Sequence, residues 1–144
     1  MSTPSPSTAP PAAPTPPRCC DLLLVAVAVS GLLGVALGAF GAHGLQDRLL
    51  ANDRLDVWQT AVLYHLVHSV AALAALTISR AAAGWWLAGV VVFSGSLYLL
   101  ALTDTGWLGA VTPLGGVAFL IGWIALGWAA KRRPATVPPD RDRH

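Results

Sequence analysis

Four long stretches without a charge constrain this chain more than any other feature. Residues 22–42, 57–78, 85–102 and 107–130 contain no Asp, Lys or Arg, and the sequence has no Glu anywhere. As a helix rising ~1.5 Å per residue, the first stretch spans about 31 Å, the thickness of a bilayer's hydrocarbon core. Apolar residues fill these stretches in continuous blocks, without the helical or strand periodicity of a half-solvated element. Only 11% of the 144 residues are charged, against about 25% in soluble domains, too few to clothe a water-facing surface. Membrane β-strands alternate over about 10 residues, so a barrel is excluded. The fold class expected is all-α: an integral membrane four-helix bundle with disordered termini.

This gives three segments. Residues 1–20 form a proline-rich tail, with seven of the 11 prolines before Arg18. Residues 21–130 hold the four spans, and residues 131–144 form a basic tail. Neither tail has the composition to bury apolar surface, and both read as solvated chain. A cleaved signal sequence has an apolar core of about 7–15 residues. The first stretch is longer and reads as a retained span. Cys19 and Cys20 are adjacent, which is not metal-binding spacing, and read as inert interfacial residues.

Orientation follows from cation placement. Arg18, Arg80, Lys131, Arg132 and Arg133, with Arg141 and Arg143 further out, share one side of a four-span chain, and only Arg48 and Arg54 lie opposite. The positive-inside rule then places both termini in the cytoplasm. Trp58 and Trp107 read as aromatic anchors at the outer ends of their spans, and Trp85, Trp86 and Trp128 at the inner ends. Trp123 reads as a packing residue.

Inside the spans, Gly31, Gly34, Gly38 and Gly41 fall on one narrow stripe of the first helix. Such spacing allows close helix approach, within the chain or between protomers. His43 marks the outer end of that span. Residues 45–50 read as a short interfacial helix. Asn52 reads as the N-cap of the second helix, with Asp53 and Asp56 near its positive end.

His65 and His68 share a face of the second span with Trp58, Ala61 and Ala72. Polar groups at membrane depth must face the protein interior. Ser94 and Tyr98 share a face of the third span. In the fourth, Pro113 cannot donate to the carbonyl of Gly109 and reads as a helix kink, with Tyr98 or a histidine as substitute donor. The expectation is one buried polar cluster of His65, His68, Ser94, Tyr98 and Thr112. Two histidines three apart also permit metal or haem ligation, with His43 as the only further ligand at hand. The favoured reading has no metal, no cofactor and no catalytic residues.

Four segments carry a resemblance. They are Gly38-Ala39-Phe40-Gly41-Ala42-His43-Gly44-Leu45, Trp58-Gln59-Thr60-Ala61-Val62 with Tyr64-His65 and His68, Phe93-Ser94-Gly95-Ser96-Leu97-Tyr98, and Trp107-Leu108-Gly109-Ala110-Val111-Thr112-Pro113-Leu114-Gly115-Gly116. In this order they resemble the small membrane protein family called domain of unknown function 423, which includes YgdD-type bacterial proteins and eukaryotic transmembrane protein 256. The resemblance covers residues 21–130 and implies a multi-pass inner-membrane protein, with no activity, substrate or cofactor.

Three function classes follow. A structural, assembly or interaction protein would pack against the lipid bilayer and against a second copy or another membrane protein through its glycine seams. A small transporter or channel would have to use histidine in place of the missing intramembrane carboxylate. A metal- or haem-binding protein needs ligands the spans do not supply. Nothing pairs a nucleophile with a base, so the chain is not expected to be an enzyme, and nothing suggests nucleic acid.

Overall fold

The computed structural model describes residues 19–132, which are helical and contain no strand. The readings of the tails, of Arg18, Arg133, Arg141 and Arg143, and of the side chains of Cys19 and Cys20 lie outside what is described. Helix α1 runs Cys19–His43, α2 Gln46–Ala51, α3 Leu55–Ala75, α4 Arg80–Gly89, α5 Gly95–Thr103 and α6 Leu108–Lys131. A single π-helical turn, Val90–Ser94, joins α4 to α5 into one continuous third span. Four stretches are long and apolar enough to cross a bilayer: Leu22–His43, Leu55–Ala75, Arg80–Thr103 and Leu108–Lys131.

Three boundaries differ from the sequence reading, and one is the end of the second span, at Ala75 and short of residue 78. The third span starts at Arg80, earlier than residue 85, because the Ser79 hydroxyl accepts from the Ala82 amide at 3.2 Å and caps the helix. A charge at the first position does not prevent a cap, since arginine extends its head toward water. Asn52 is not the N-cap of α3. It ends α2, where Arg54 N bonds Leu49 O at 2.8 Å and Asp53 N bonds Leu50 O at 3.1 Å. That pair of bonds is a Schellman closure, with Asp53 in the left-handed region at φ 53°. The short helix expected at residues 45–50 is α2, and its Leu49 is wholly buried.

α3 is the central element. One face carries Trp58, Ala61, His65, His68, Ser69, Ala72 and Ala75, all buried. α1 packs on α3, while the third span packs on both α3 and α6. The α1 seam is the glycine stripe. A Cβ at Gly34 would meet Leu66 Cδ2 at 2.7 Å, one at Gly38 would meet Val62 Cγ1 at 3.2 Å, and one at Gly41 would reach the Trp58 indole. Gly31 faces open space. The partner of this stripe is therefore a helix of the same chain, and Gly31 lies outside the contact.

A second small-residue seam, between the third span and α6, was not anticipated. A Cβ on Gly115 would collide with the backbone of Phe93 in the π-turn, and one on Gly89 with the Phe119 ring. Trp86 and Trp58 do similar work at the two seams. Each lays its indole in a glycine notch of a neighbouring helix, at Gly122 and Gly41 respectively. Trp86 Nε1 donates to Phe119 O at 3.2 Å, and Trp58 Nε1 donates to Leu37 O at 3.1 Å. Both are at most 2% exposed, so they are cross-helix clamps and not membrane-surface anchors. The sequence reading weighed their position along the span and not the hydrogen-bond donor they carry. Trp85, Trp107 and Trp128 are exposed. Trp123 is half exposed and sets its ring edge-on to Trp86, with centroids 4.7 Å apart.

The end of the bundle holding α2 is fastened by two arginines. Arg48 donates to Leu102 O at 2.9 Å, at the negative end of α5. Arg54 donates to Asp104 Oδ1 from Nε at 2.9 Å, tying the α2–α3 connection to the α5–α6 connection.

Candidate functional site

The polar side chains inside the bundle do not form one cluster. They divide into three groups with Ser94 apart from all of them, and of the five expected residues only His65 and Tyr98 are hydrogen-bonded to each other.

The first group centres on His65, the middle residue of α3. Its Nε2 lies 3.2 Å from Ser30 Oγ of α1, and its Nδ1 lies 3.4 Å from the Tyr98 hydroxyl of α5. Ser30 Oγ lies 2.6 Å from Ser69 Oγ, and Ser69 donates to His65 O at 2.8 Å. Proton counting fixes the direction of every bond, because each hydroxyl has one proton. Ser69 gives its proton to the carbonyl, so Ser30 must donate to Ser69. Ser30 has then spent its proton, so His65 Nε2–H must donate to Ser30. In a neutral imidazole Nδ1 is then the acceptor, and Tyr98 donates to it. The circuit starts at the Tyr98 hydroxyl, passes through the imidazole and ends on the backbone of the same histidine. It joins α1, α3 and α5, and it requires the Nε2–H tautomer. Buried donors in hydrocarbon need partners, and here each has one.

Sequence reasoning placed His65 and Tyr98 together but missed Ser30 and Ser69. Ser30 is the only polar side chain between residues 22 and 42, and it continues the glycine stripe four residues before Gly34. Those two facts together mark it as facing the seam.

His68 belongs to the second group. Its Nδ1 donates to Tyr64 O at 2.9 Å, and its ring stacks on Phe119 of α6, with centroids 3.6 Å apart at 10°. Phe93 and Trp86 continue this aromatic contact on either side. Thr112 forms the third group with Ser96, at 2.9 Å. Ser94, at the end of the π-turn, is fully buried, and its hydroxyl has no partner. Neither Tyr98 nor a histidine serves the carbonyl of Gly109, because their protons go elsewhere. Pro113 is exposed, and α6 continues through it. His43 is exposed at the last turn of α1. It is not brought to the other histidines, and among the described residues no three of His, Cys, Asp or Glu gather as metal ligands would.

Because α1 leans chiefly on α3, a groove of about 450 Å³ remains between α1 and the third span. Val29, Leu33, Val91 and Gly95 line its walls, and Ser30, His65 and Tyr98 lie along its floor. The floor's protons are all committed within the circuit, so hydrocarbon lying over it strands no donor.

Comparison with known proteins agrees with this architecture. The family described as "Protein of unknown function (DUF423)" matches residues 37–116. That segment includes Gly38 and Gly41 of the α1 seam, all of α2 and α3, and the whole third span. The chain is 44% identical over 118 residues to the UPF0382 membrane protein YwdK of Bacillus subtilis, covering 76% of this chain and 95% of that one. It is 44% identical over 112 residues to a UPF0382 membrane protein of Staphylococcus aureus, covering 73% and 91%. A Haemophilus influenzae UPF0382 membrane protein is 42% identical over 114 residues, covering 74% and 91%. No solved structure matches.

Proposed function

We propose a structural and assembly role for this chain, which belongs to the DUF423 family of membrane proteins. The observation that supports this most is the closed circuit at His65. A proton carrier needs a group that can take up a proton and pass it on along an open path. In this chain the central imidazole has both nitrogens engaged, and the circuit ends on a backbone carbonyl. The arrangement holds three helices together without offering an exit. Ser30 lies beside His65, but its proton goes to Ser69 and Nε2–H donates to it, so the imidazole does not act as a base toward this hydroxyl, and we read the protein as a non-enzyme.

Its setting, in this proposal, is the bacterial cytoplasmic membrane with both termini inside. The placement of cations along the sequence supports that orientation: Arg18, Arg80, Lys131, Arg132 and Arg133 fall on one side of the four spans, and Arg48 and Arg54 on the other. Partners would be membrane proteins, or a second copy, packing on the faces of α1 and α6 that the bundle leaves uncovered.

Proton flux into liposomes carrying the full chain tests the role. The expected result is flux equal to protein-free liposomes, with and without a His65→Leu/His68→Leu double substitution. A flux that depends on the histidines would replace this reading with a transporter. Orientation is tested by labelling an Asn52→Cys variant, with Cys19 and Cys20 changed to Ser, in intact cells. An impermeant thiol reagent is expected to reach Cys at position 52, and protection there would invert the topology.

A further inference from the structure

The end of the bundle opposite α2 has a feature that the packing does not use. The last two turns of α6 place Ile124, Gly127, Trp128, Lys131 and Arg132 on one face, around a recess of about 480 Å³. Nothing lies within 4 Å of where a Gly127 Cβ would be, so the recess deepens at that residue. Trp128 is 61% exposed and Ile124 is 66% exposed, so neither is spent on the core. The Arg132 guanidinium sits over the Trp128 indole, 5.1 Å from its centroid. This cation–π contact holds the charge against the edge of the apolar surface.

Lys131 and Arg132 form no ion pair among the described residues, and the Arg54–Asp104 salt bridge lies at the far end. Asp47, Asp53, Asp56 and Asp104 are all at that far end as well, and Asp21 belongs to α1, whose packing partner is α3 and not α6. Two unneutralised cations therefore stand directly above an exposed apolar strip, at the depth where lipid headgroups meet acyl chains. We propose that this face of α6 is a binding site for one anionic phospholipid. Lys131 and Arg132 hold the phosphate and the anionic headgroup, the indole of Trp128 lies at the level of the glycerol, and an acyl chain runs along Gly127 and Ile124. Charge complementarity identifies the occupant. A zwitterionic lipid adds its own cation beside the two already present, whereas an anionic headgroup neutralises them. Anionic surfaces attract each nearby Lys or Arg strongly enough that two such contacts change lipid retention by about 10- to 30-fold.

Native mass spectrometry of the full chain tests this, with the protein released from micelles holding equal amounts of phosphatidylglycerol and phosphatidylcholine. The wild-type chain is expected to retain phosphatidylglycerol in preference, by about tenfold or more. Lys131→Gln/Arg132→Gln is expected to abolish the preference while circular dichroism stays unchanged. Gly127→Leu is expected to reduce retention with both charges intact, because it fills the recess. Equal retention of the two lipids by the wild type would overturn the site, as would an unchanged preference in the double variant. A chain ending at residue 133 separates lipid from the carboxylates of the chain's own tail, where Asp140 and Asp142 alternate with Arg141 and Arg143. Unchanged phosphatidylglycerol retention supports the lipid as occupant, and a clear rise on truncation would give the site to the tail instead.

Discussion

Replacing His65 with Leu removes the centre of the circuit, and its consequences can be worked out bond by bond. Two cross-helix hydrogen bonds disappear, to Ser30 and to Tyr98. In membrane proteins such bonds are worth about 0.6 kcal/mol each on average, so this loss is roughly 1 kcal/mol. Ser30 keeps Ser69 as an acceptor for its proton. Tyr98 does not fare as well, since its hydroxyl is left as a buried donor facing hydrocarbon. A stranded group of that kind costs about 1–3 kcal/mol. The total is about 2–4 kcal/mol, equivalent to a melting temperature lower by roughly 10 °C for a chain of this size. Thermal unfolding in detergent, followed by circular dichroism, measures it. A second substitution makes the reasoning specific. Tyr98→Phe removes the stranded donor, so the His65→Leu/Tyr98→Phe double variant should be no less stable than His65→Leu alone. The coupling expected between the two is about 1 kcal/mol or more. A His65→Leu protein that melts within a degree of wild type would refute burial of a working circuit. Strictly additive losses would refute the bond between His65 and Tyr98.

The glycine stripe gives a paired test: Gly41→Ala should destabilise by about 1–3 kcal/mol because its Cβ would occupy the Trp58 indole, whereas Gly31→Ala meets nothing and should be neutral or stabilising by up to ~1 kcal/mol, both read from melting in detergent. Ser94→Ala removes a buried hydroxyl with no partner and should raise stability by about 1 kcal/mol in the same measurement. Trp86→Phe keeps most of the ring but loses the donor to Phe119 O, so it should cost about 1 kcal/mol and increase hydrogen exchange in α6. Arg54→Ala should cost no more than ~1 kcal/mol and should matter less as salt rises, since its pair with Asp104 is 33% and 65% exposed.

The membrane spans were readable because hydrocarbon tolerates so little. A charge-free run of about 20 residues has few other uses, and the buried face of α3, from Trp58 to Ala75, follows from the cost of two histidines at membrane depth. The seam side of α1 was readable for a related reason, because glycine in a helix weakens it unless close packing compensates. What the sequence concealed depends on how neighbouring helices are rotated. Ser94 and Tyr98 lie four apart and share a face on a regular helical wheel. The π-turn at Val90–Ser94 widens the helix there, and the two side chains have different surroundings: Tyr98 meets His65, and Ser94 meets no partner. Thr112 turns toward Ser96 for a related reason, since the close approach at Gly115 sets the rotation of α6 against the third span. Asn52 was misplaced because the same side-chain chemistry suits the start of one helix and the end of another. The local sequence around residues 52–54 supports both, and the buried Leu49 decides for α2.

The direction of the hydrogen-bond circuit can be measured without mutation, by nitrogen-15 NMR of the imidazole rings in lipid bilayers at neutral pH. Two different neutral tautomers are expected in one helix. His65 should carry its proton on Nε2, with Nδ1 bare and coupled to the Tyr98 hydroxyl. His68 should carry its proton on Nδ1, bonded to Tyr64 O. A His65 ring protonated on Nδ1 alone, or on both nitrogens, would contradict the circuit and reopen the case for this histidine as a proton carrier.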